Sequence, residues 1–249
     1  MSFSAGSGSP RAALVLLAAG AGTRVGAEVN KVFLPLAGRR VFTWSLRWAS
    51  TLGNISRLLL VVAEGDRDLA RAILAREAPG VDVELVLGGD SRHGSEWQAM
   101  QVLAPDIEAG DIDVVVIHDA ARPLATTETF ARVIALAALH GGALPVRPQP
   151  SLVPLDAAGD LELDGVVAVQ TPQAFRATDL LAAYRAADAE GFVGTDTASC
   201  VERFCDLTVR CVEGSATNIK ITFPEDLFLA EHLLAQAQWD LSGQKGDLR

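Results

Sequence analysis

The chain has 249 residues, 49% of them hydrophobic and 21% charged, which supplies a large buried core and argues against an extended disordered chain. The formal net charge of −10 argues against nucleic acid or an anionic membrane as partner, so a polyanionic ligand has to meet a local cluster of cations and backbone N–H groups. The three cysteines, Cys200, Cys205 and Cys211, have neither CxxC nor histidine spacing, which argues against zinc and reads as reduced thiols.

Residues 1–10 are rich in Ser and Gly and are expected to fray. The apolar run at 12–19 is eight residues, too short to span a membrane, and a cytoplasmic location is expected. Further continuous apolar runs follow at 58–63, 83–87 and 114–118. Runs that do not alternate fit strands buried on both faces. Helical patterns lie between and after them, at 41–51, 66–77, 96–103 and 127–140. The last of these puts Phe130, Val133, Ile134 and Ala137 on one face. A final helix opens at Pro224, with Glu225 and Asp226 in its first turn, where the helix dipole favours acids. This alternation predicts an α/β fold: a Rossmann-like three-layer arrangement with a mainly parallel sheet, in a single domain over 11–249.

The segment 148–169 breaks the pattern. It is rich in Pro, Gly and Asp, with short apolar runs at 152–155 and 166–169, and reads as a protruding hairpin arm or a long loop. It carries no Lys or Arg and has the acids Asp156, Asp160, Glu162 and Asp164.

The chemistry starts where the first strand ends, in Leu17-Ala18-Ala19-Gly20-Ala21-Gly22-Thr23-Arg24, followed by Lys31. Gly20 and Gly22 let the backbone turn and present N–H groups to phosphate oxygens, while Arg24 and Lys31 add mobile positive charge. Two commoner phosphate motifs do not fit. Val25 stands where a dinucleotide fingerprint needs its third glycine, and the GKS/T phosphate loop is absent. Taken alone, the segment also reads as a plain glycine turn with surface cations.

Five further segments follow in order: Gly88-Gly89-Asp90-Ser91-Arg92 with Ser95; His118-Asp119-Ala120-Ala121-Arg122-Pro123; Gln170-Thr171-Pro172-Gln173; Thr195-Asp196 with Ala198-Ser199; and Glu213-Gly214 with Asn218-Ile219-Lys220. Together with the first loop they resemble the methylerythritol phosphate cytidylyltransferase family, over about residues 13–231. The resemblance implies a cytidylyltransferase that uses CTP, Mg²⁺ and a small sugar-alcohol phosphate, releases pyrophosphate, and forms a homodimer by exchange of arms. It implies that Arg24, Lys31 and Lys220 stabilise the reacting phosphates. It also implies that Ala18, Ala19, Gly89, Asp90 and Ser95, with Gly20 and Gly22, receive the nucleotide. Asp119, Arg122, Thr171 and Thr195 fall on the acceptor side, Asp119 near the metal as well. His118 reads as a packed strand-end residue, because an acceptor phosphate that is already anionic needs no base.

The sequence departs from the family pattern at three points. Pro148-Gln149 stands where the family has Asp-Thr, and about Leu163 stands where the arm has an arginine for the acceptor phosphate. Asn30 replaces the usual proline before the lysine, a change expected to loosen the loop. These departures leave room for another acceptor such as ribitol 5-phosphate, or for a catalytically weak nucleotide-binding homologue.

Overall fold

The computed structural model describes residues 8–20, 30–149 and 166–243. Its centre is β1 (Ala12–Leu17), whose residues alternate between two cores: Ala12, Leu14 and Leu16 face one, Ala13 and Val15 the other. β4 (Ile55–Val62) and β6 (Val114–Asp119) flank it in parallel and divide in the same way. Double-sided burial is the reason these runs are unbroken rather than alternating. In chain order the remaining strands are β2 (Pro35–Leu36), β3 (Arg39–Arg40), β5 (Glu84–Leu87), β7 (Gly141–Pro148), β8 (Val167–Val169), β9 (Gln173–Arg176) and β10 (Thr208–Glu213).

The main sheet runs β10-β7-β9-β6-β1-β4-β5, with β8 added to β7. β9 is antiparallel to both neighbours and β8 is antiparallel to β7, while the other pairings of this sheet are parallel. α1 (Val41–Ala49), α2 (Arg67–Glu77) and α4 (Thr127–His140) cover one face. α3 (Arg92–Glu108), α5 (Ala177–Glu190) and α6 (Thr197–Phe204) cover the other. α7 (Pro224–Gly243) contributes Ala230 and Leu234 to a smaller cluster with Leu36, Val41, Trp44 and Ile221. The expected three-layer α/β architecture is therefore present.

One difference from the sequence reading matters for the site. α3 starts at Arg92 rather than 96, capped by the Ser91 hydroxyl, which accepts from the Gly94 N–H at 2.9 Å. The polar stretch Arg92-His93-Gly94-Ser95 hides this first turn, because its helical face is set by Ser95 and Glu96 turning inward rather than by apolar residues. The segment read as an arm begins as a hairpin: Val146, Arg147 and Pro148 pair with Val169, Ala168 and Val167. The rest of it, including Leu163 and the four acids, lies outside the described residues.

Candidate active site

β1 and β6 end side by side, Leu17 opposite Asp119, with β4 and β5 beyond. Open α/β sheets bind ligands at such carboxyl ends, where successive connections leave for opposite faces. A cavity of about 410 Å³ opens there. Its walls are Ala18, Ala19 and Gly20 after β1; Asn30 and Lys31 at a short 3-10 turn; Gly89, Asp90, Ser91, Arg92 and Ser95 at the β5–α3 turn; Asp119 at the end of β6; and Lys220. A volume of this order holds a nucleotide-sized ligand.

Glycine is required at the β5–α3 turn because the backbone approaches its neighbours too closely for a side chain. A Cβ on Gly88 would lie 2.5 Å from Ala19 Cβ and 2.9 Å from Ser95 Oγ. A Cβ on Gly89 would lie 2.9 Å from the Gly94 carbonyl carbon. The turn is thereby pressed onto the end of β1, and the two form one continuous wall.

Asn30 does the opposite of loosening its loop. Its Nδ2 donates to the Ala18 carbonyl at 2.8 Å, and its Oδ1 accepts from the Val32 N–H at 3.3 Å. A proline makes neither bond. The asparagine ties the turn that carries Lys31 to the same strand end that forms the wall.

Asp119 is the most buried charged residue of the cavity lining. Its Oδ2 accepts from Lys220 Nζ at 2.7 Å, and its Oδ1 lies 3.1 Å from Arg92 Nη2. Burial alone would disfavour its ionisation, but Arg92 and Lys220 outweigh burial and bring its pKa down to about 2. The carboxylate stays ionised at any working pH and holds two cations against the cavity.

Behind Asp119 lies a layer of neutral hydrogen bonds. The Asp119 N–H donates to Thr171 Oγ1 at 3.0 Å, and that hydroxyl meets His118 Nδ1 at 3.0 Å. His118 Nε2 lies 3.1 Å from the Arg122 carbonyl, which can only accept. Nε2 therefore carries the proton and Nδ1 accepts from Thr171. Burial pushes the His118 pKa down to about 4, with Asp119 only partly opposing it, which keeps this neutral tautomer. As expected, His118 is a packed, hydrogen-bonded strand-end residue.

Arg122 Nη1 donates to the Asn218 carbonyl at 2.7 Å, and Asn218 Nδ2 donates to the Thr171 carbonyl at 2.9 Å. Gln170 Nε2 donates to the carbonyls of Ser215 and Asn218. Three of the sequence segments thus interlock, and their joint task is to seat Lys220 beside Asp119.

Of the residues named from the sequence, Ala18, Ala19, Gly20, Lys31, Gly89, Asp90, Ser95, Asp119 and Lys220 share the cavity. Gly22 and Arg24 lie outside the described residues. Arg122 and Thr171 are not among the lining residues; Arg122 Nη1 donates to the Asn218 carbonyl and Thr171 Oγ1 accepts from the Asp119 N–H. Thr195 is exposed and sits beside Asp196, the N-cap of α6, away from the lining. The sequence reading assigned no role to Arg92, a wall residue, or to the buried Glu96 beneath it. The available signal was their i,i+4 spacing with opposite charge, which becomes visible once α3 is started at Arg92.

The comparisons agree with this geometry. The family profile described as 2-C-methyl-D-erythritol 4-phosphate cytidylyltransferase (IspD) matches residues 12–236. An enzyme of that name from Cereibacter sphaeroides is 39% identical over 90% of this chain and 97% of its own length. Another from Bacillus velezensis is 35% identical over 89% of this chain and 94% of its own. Among solved structures, the 2-C-methyl-D-erythritol 4-phosphate cytidylyltransferase of Thermus thermophilus superposes with a TM-score of 0.68 at 32% identity, covering 89% of this chain and 98% of that one. The 4-diphosphocytidyl-2C-methyl-D-erythritol synthase of Anaerococcus prevotii gives 0.77 at 27% identity, covering 91% and 97%. With the fold, the cavity and the near full-length match in agreement, the chain belongs to the 2-C-methyl-D-erythritol 4-phosphate cytidylyltransferase family.

Proposed function

We propose that the chain transfers the cytidylyl group of CTP to 2-C-methyl-D-erythritol 4-phosphate and releases pyrophosphate, a step in isoprenoid precursor synthesis. The observation that carries the reading is the convergence of four separate family segments on one cavity, with Lys31 and Lys220 both on its walls. An oxygen of the acceptor phosphate attacks the α-phosphorus of CTP, and the bond from that phosphorus to the pyrophosphate breaks. The nucleophile is already an anion, so no proton has to be removed. The protein's contribution is to hold two polyanions in line and to balance their charge.

In this reading Lys31, with Arg24, steadies the triphosphate, and Lys220 acts at the α-phosphate. The close wall formed by Ala18, Ala19, Gly20, Gly89, Asp90 and Ser95 admits a pyrimidine and leaves too little room for a purine. Asp119 serves the acceptor side directly. The internal bonds of Arg122 and Thr171 favour a supporting role for both, and the exposure of Thr195 favours a rim position.

Mg²⁺ is proposed as the cofactor. Among the described residues no group of three His, Cys, Asp or Glu side chains forms a protein cage for a metal. Magnesium commonly keeps its waters and binds through one or two carboxylates plus substrate phosphates, and Asp119 at the cavity wall fits that donor set. When bound there with the triphosphate, the ion would neutralise phosphate charge.

A homodimer joined through the arm is proposed as well, supported by the exposure of Val166, Val167 and Val169 at the base of the arm. A cytoplasmic location fits a reaction that consumes CTP. No helix among the described residues is long and apolar enough to cross a membrane.

The test is pyrophosphate release from CTP and Mg²⁺ with 2-C-methyl-D-erythritol 4-phosphate or ribitol 5-phosphate as acceptor. A kcat/KM for the methylerythritol phosphate well above that for ribitol phosphate is expected. The reverse preference would assign the acceptor half of the site to another substrate.

A further inference from the structure

Glu96 is fully buried, yet it lies one helical turn below Arg92 on the cavity wall. Its Oε1 is 3.2 Å from Arg92 Nε and accepts from Thr197 Oγ1 at 3.0 Å. Its Oε2 accepts from the Tyr184 hydroxyl. The other end of the same guanidinium reaches Asp119, whose second oxygen takes Lys220. Four charges therefore alternate from the core to the cavity: Glu96, Arg92, Asp119, Lys220.

This arrangement is a poor way to gain stability. An apolar side chain of similar size in place of a buried ion pair is often neutral or stabilising. Burial also pushes the Glu96 pKa up to about 7, in spite of Arg92, Tyr184 and Thr197, so the ionised form is held against a cost. A carboxylate at 96 does provide one thing an apolar residue cannot. Arginine is a long, flexible side chain that stays charged, so a negative charge on each side of it limits where its guanidinium can lie. Here it lies between two carboxylates, Nε 3.2 Å from Glu96 and Nη2 3.1 Å from Asp119; neither nitrogen completes a hydrogen bond, so charge attraction from both sides holds it. Glu96 is itself fixed from α5 by Tyr184 and from α6 by Thr197. Thr197 directly follows Thr195-Asp196, so the same carboxylate ties the start of α6 to the cavity wall.

Resting on the cytidylyl-transfer reading, we infer that Glu96 is a positioning residue for the reaction. Acting through Arg92, it fixes Asp119 and, beyond it, Lys220 in the arrangement that meets the reacting phosphate. It touches no substrate itself.

The test is a double-mutant cycle on the whole protein with CTP, Mg²⁺ and 2-C-methyl-D-erythritol 4-phosphate, using wild type, Glu96→Gln, Arg92→Met and the double variant. Glutamine keeps the shape of Glu96, accepts from Thr197 and turns its amide to the Tyr184 oxygen, so the negative charge facing Arg92 is what disappears. Glu96→Gln is expected to lower kcat about tenfold, while KM for CTP changes by less than about threefold because the glycine turn and Lys31 are untouched. Its thermal midpoint at pH 8 should equal or exceed that of wild type. In the Arg92→Met background the same change should have no further effect on kcat. Should Arg92→Met fail to fold, Arg92→Lys takes its place, keeping a charge without the guanidinium that lies between the two carboxylates.

Unchanged kcat in Glu96→Gln, or the same tenfold factor repeated in the Arg92 variant, overturns the proposal. So does a Glu96→Gln protein that loses stability but keeps its kcat, since that is the mark of a purely structural residue. Absence of turnover in wild type is a separate result: it sinks the transfer reading itself, and any role for Glu96 in transfer falls with it.

Discussion

Lys220 and Arg92 both pair with Asp119, and with Lys31 the cavity wall carries three cations against the two acids Asp90 and Asp119. Lys31 also lines the cavity, carried by a turn that Asn30 ties to the end of β1. Positive groups held in advance at the place where charge develops are worth most in a recessed site. Lys31→Ala should therefore lower kcat/KM by a factor of about 100 to 1,000, or about 3–4 kcal/mol. Steady-state kinetics on folded protein checks this, and turnover equal to wild type would remove Lys31 from the reaction. Gly88→Ala tests the packing of the wall. Its methyl would collide with Ala19 and Ser95, so it should destabilise the fold by about 1–3 kcal/mol and weaken CTP binding together. Urea unfolding and calorimetric titration with CTP measure the two effects; a variant with native stability and native CTP affinity would contradict the close-approach argument.

At the scale of elements, α6 carries the segment Thr195-Asp196 and is held by a capping box: Asp196 Oδ1 accepts from the Ser199 N–H at 2.9 Å, and Ser199 Oγ accepts from the Asp196 N–H at 3.3 Å. Asp196→Ala should cost about 1 kcal/mol by loss of the cap. Chemical denaturation reads that loss, and none would show that α6 is held by its buried face alone. The sequence made the doubly buried strands and α4 legible because nothing interrupts their apolar patterns. β9 and β10 were not legible, because β9 has only four residues and β10 is largely exposed with polar residues between its apolar ones, and α5 has its apolar residues diluted by alanines. In the site, the glycine turn and Lys31 could be read directly from residue type. Arg92 and Glu96 could not, since their meaning depends on a helix start hidden in a polar stretch and on Tyr184 and Thr197 arriving from far along the chain. The Arg122 bond to the Asn218 carbonyl was not legible for a related reason: a basic residue in a site segment looks the same in sequence whether it meets a ligand, a carbonyl of its own chain or both.

Across the whole molecule, two buried groups set opposite pH trends. The folded pKa of Glu96, about 7, lies above the unfolded value of about 4.3. Its contribution is complete below the unfolded value and is lost as pH rises through 7. The folded pKa of His118, about 4, lies below the unfolded value of about 6.5. Its contribution is complete above 6.5 and is lost as pH falls towards 4. Between about pH 4.5 and 6.5 the two slopes oppose each other. Glu96→Gln removes one of them, so its stability should fall more steeply on acidification than that of wild type, by about 1 kcal/mol per pH unit. Urea unfolding across that window tests this, and parallel slopes would show that the two groups are not perturbed in the stated directions.

One chemical event at this cavity, the joining of a cytidylyl group to a methylerythritol phosphate, defines the proposed activity. The most direct measurement is phosphorus NMR of the product formed by purified protein from CTP, Mg²⁺ and 2-C-methyl-D-erythritol 4-phosphate. The predicted result is a diphosphate bridge between cytidine and methylerythritol, with one pyrophosphate released for each bridge formed. CTP that binds but stays intact beside unmodified acceptor would contradict the claim.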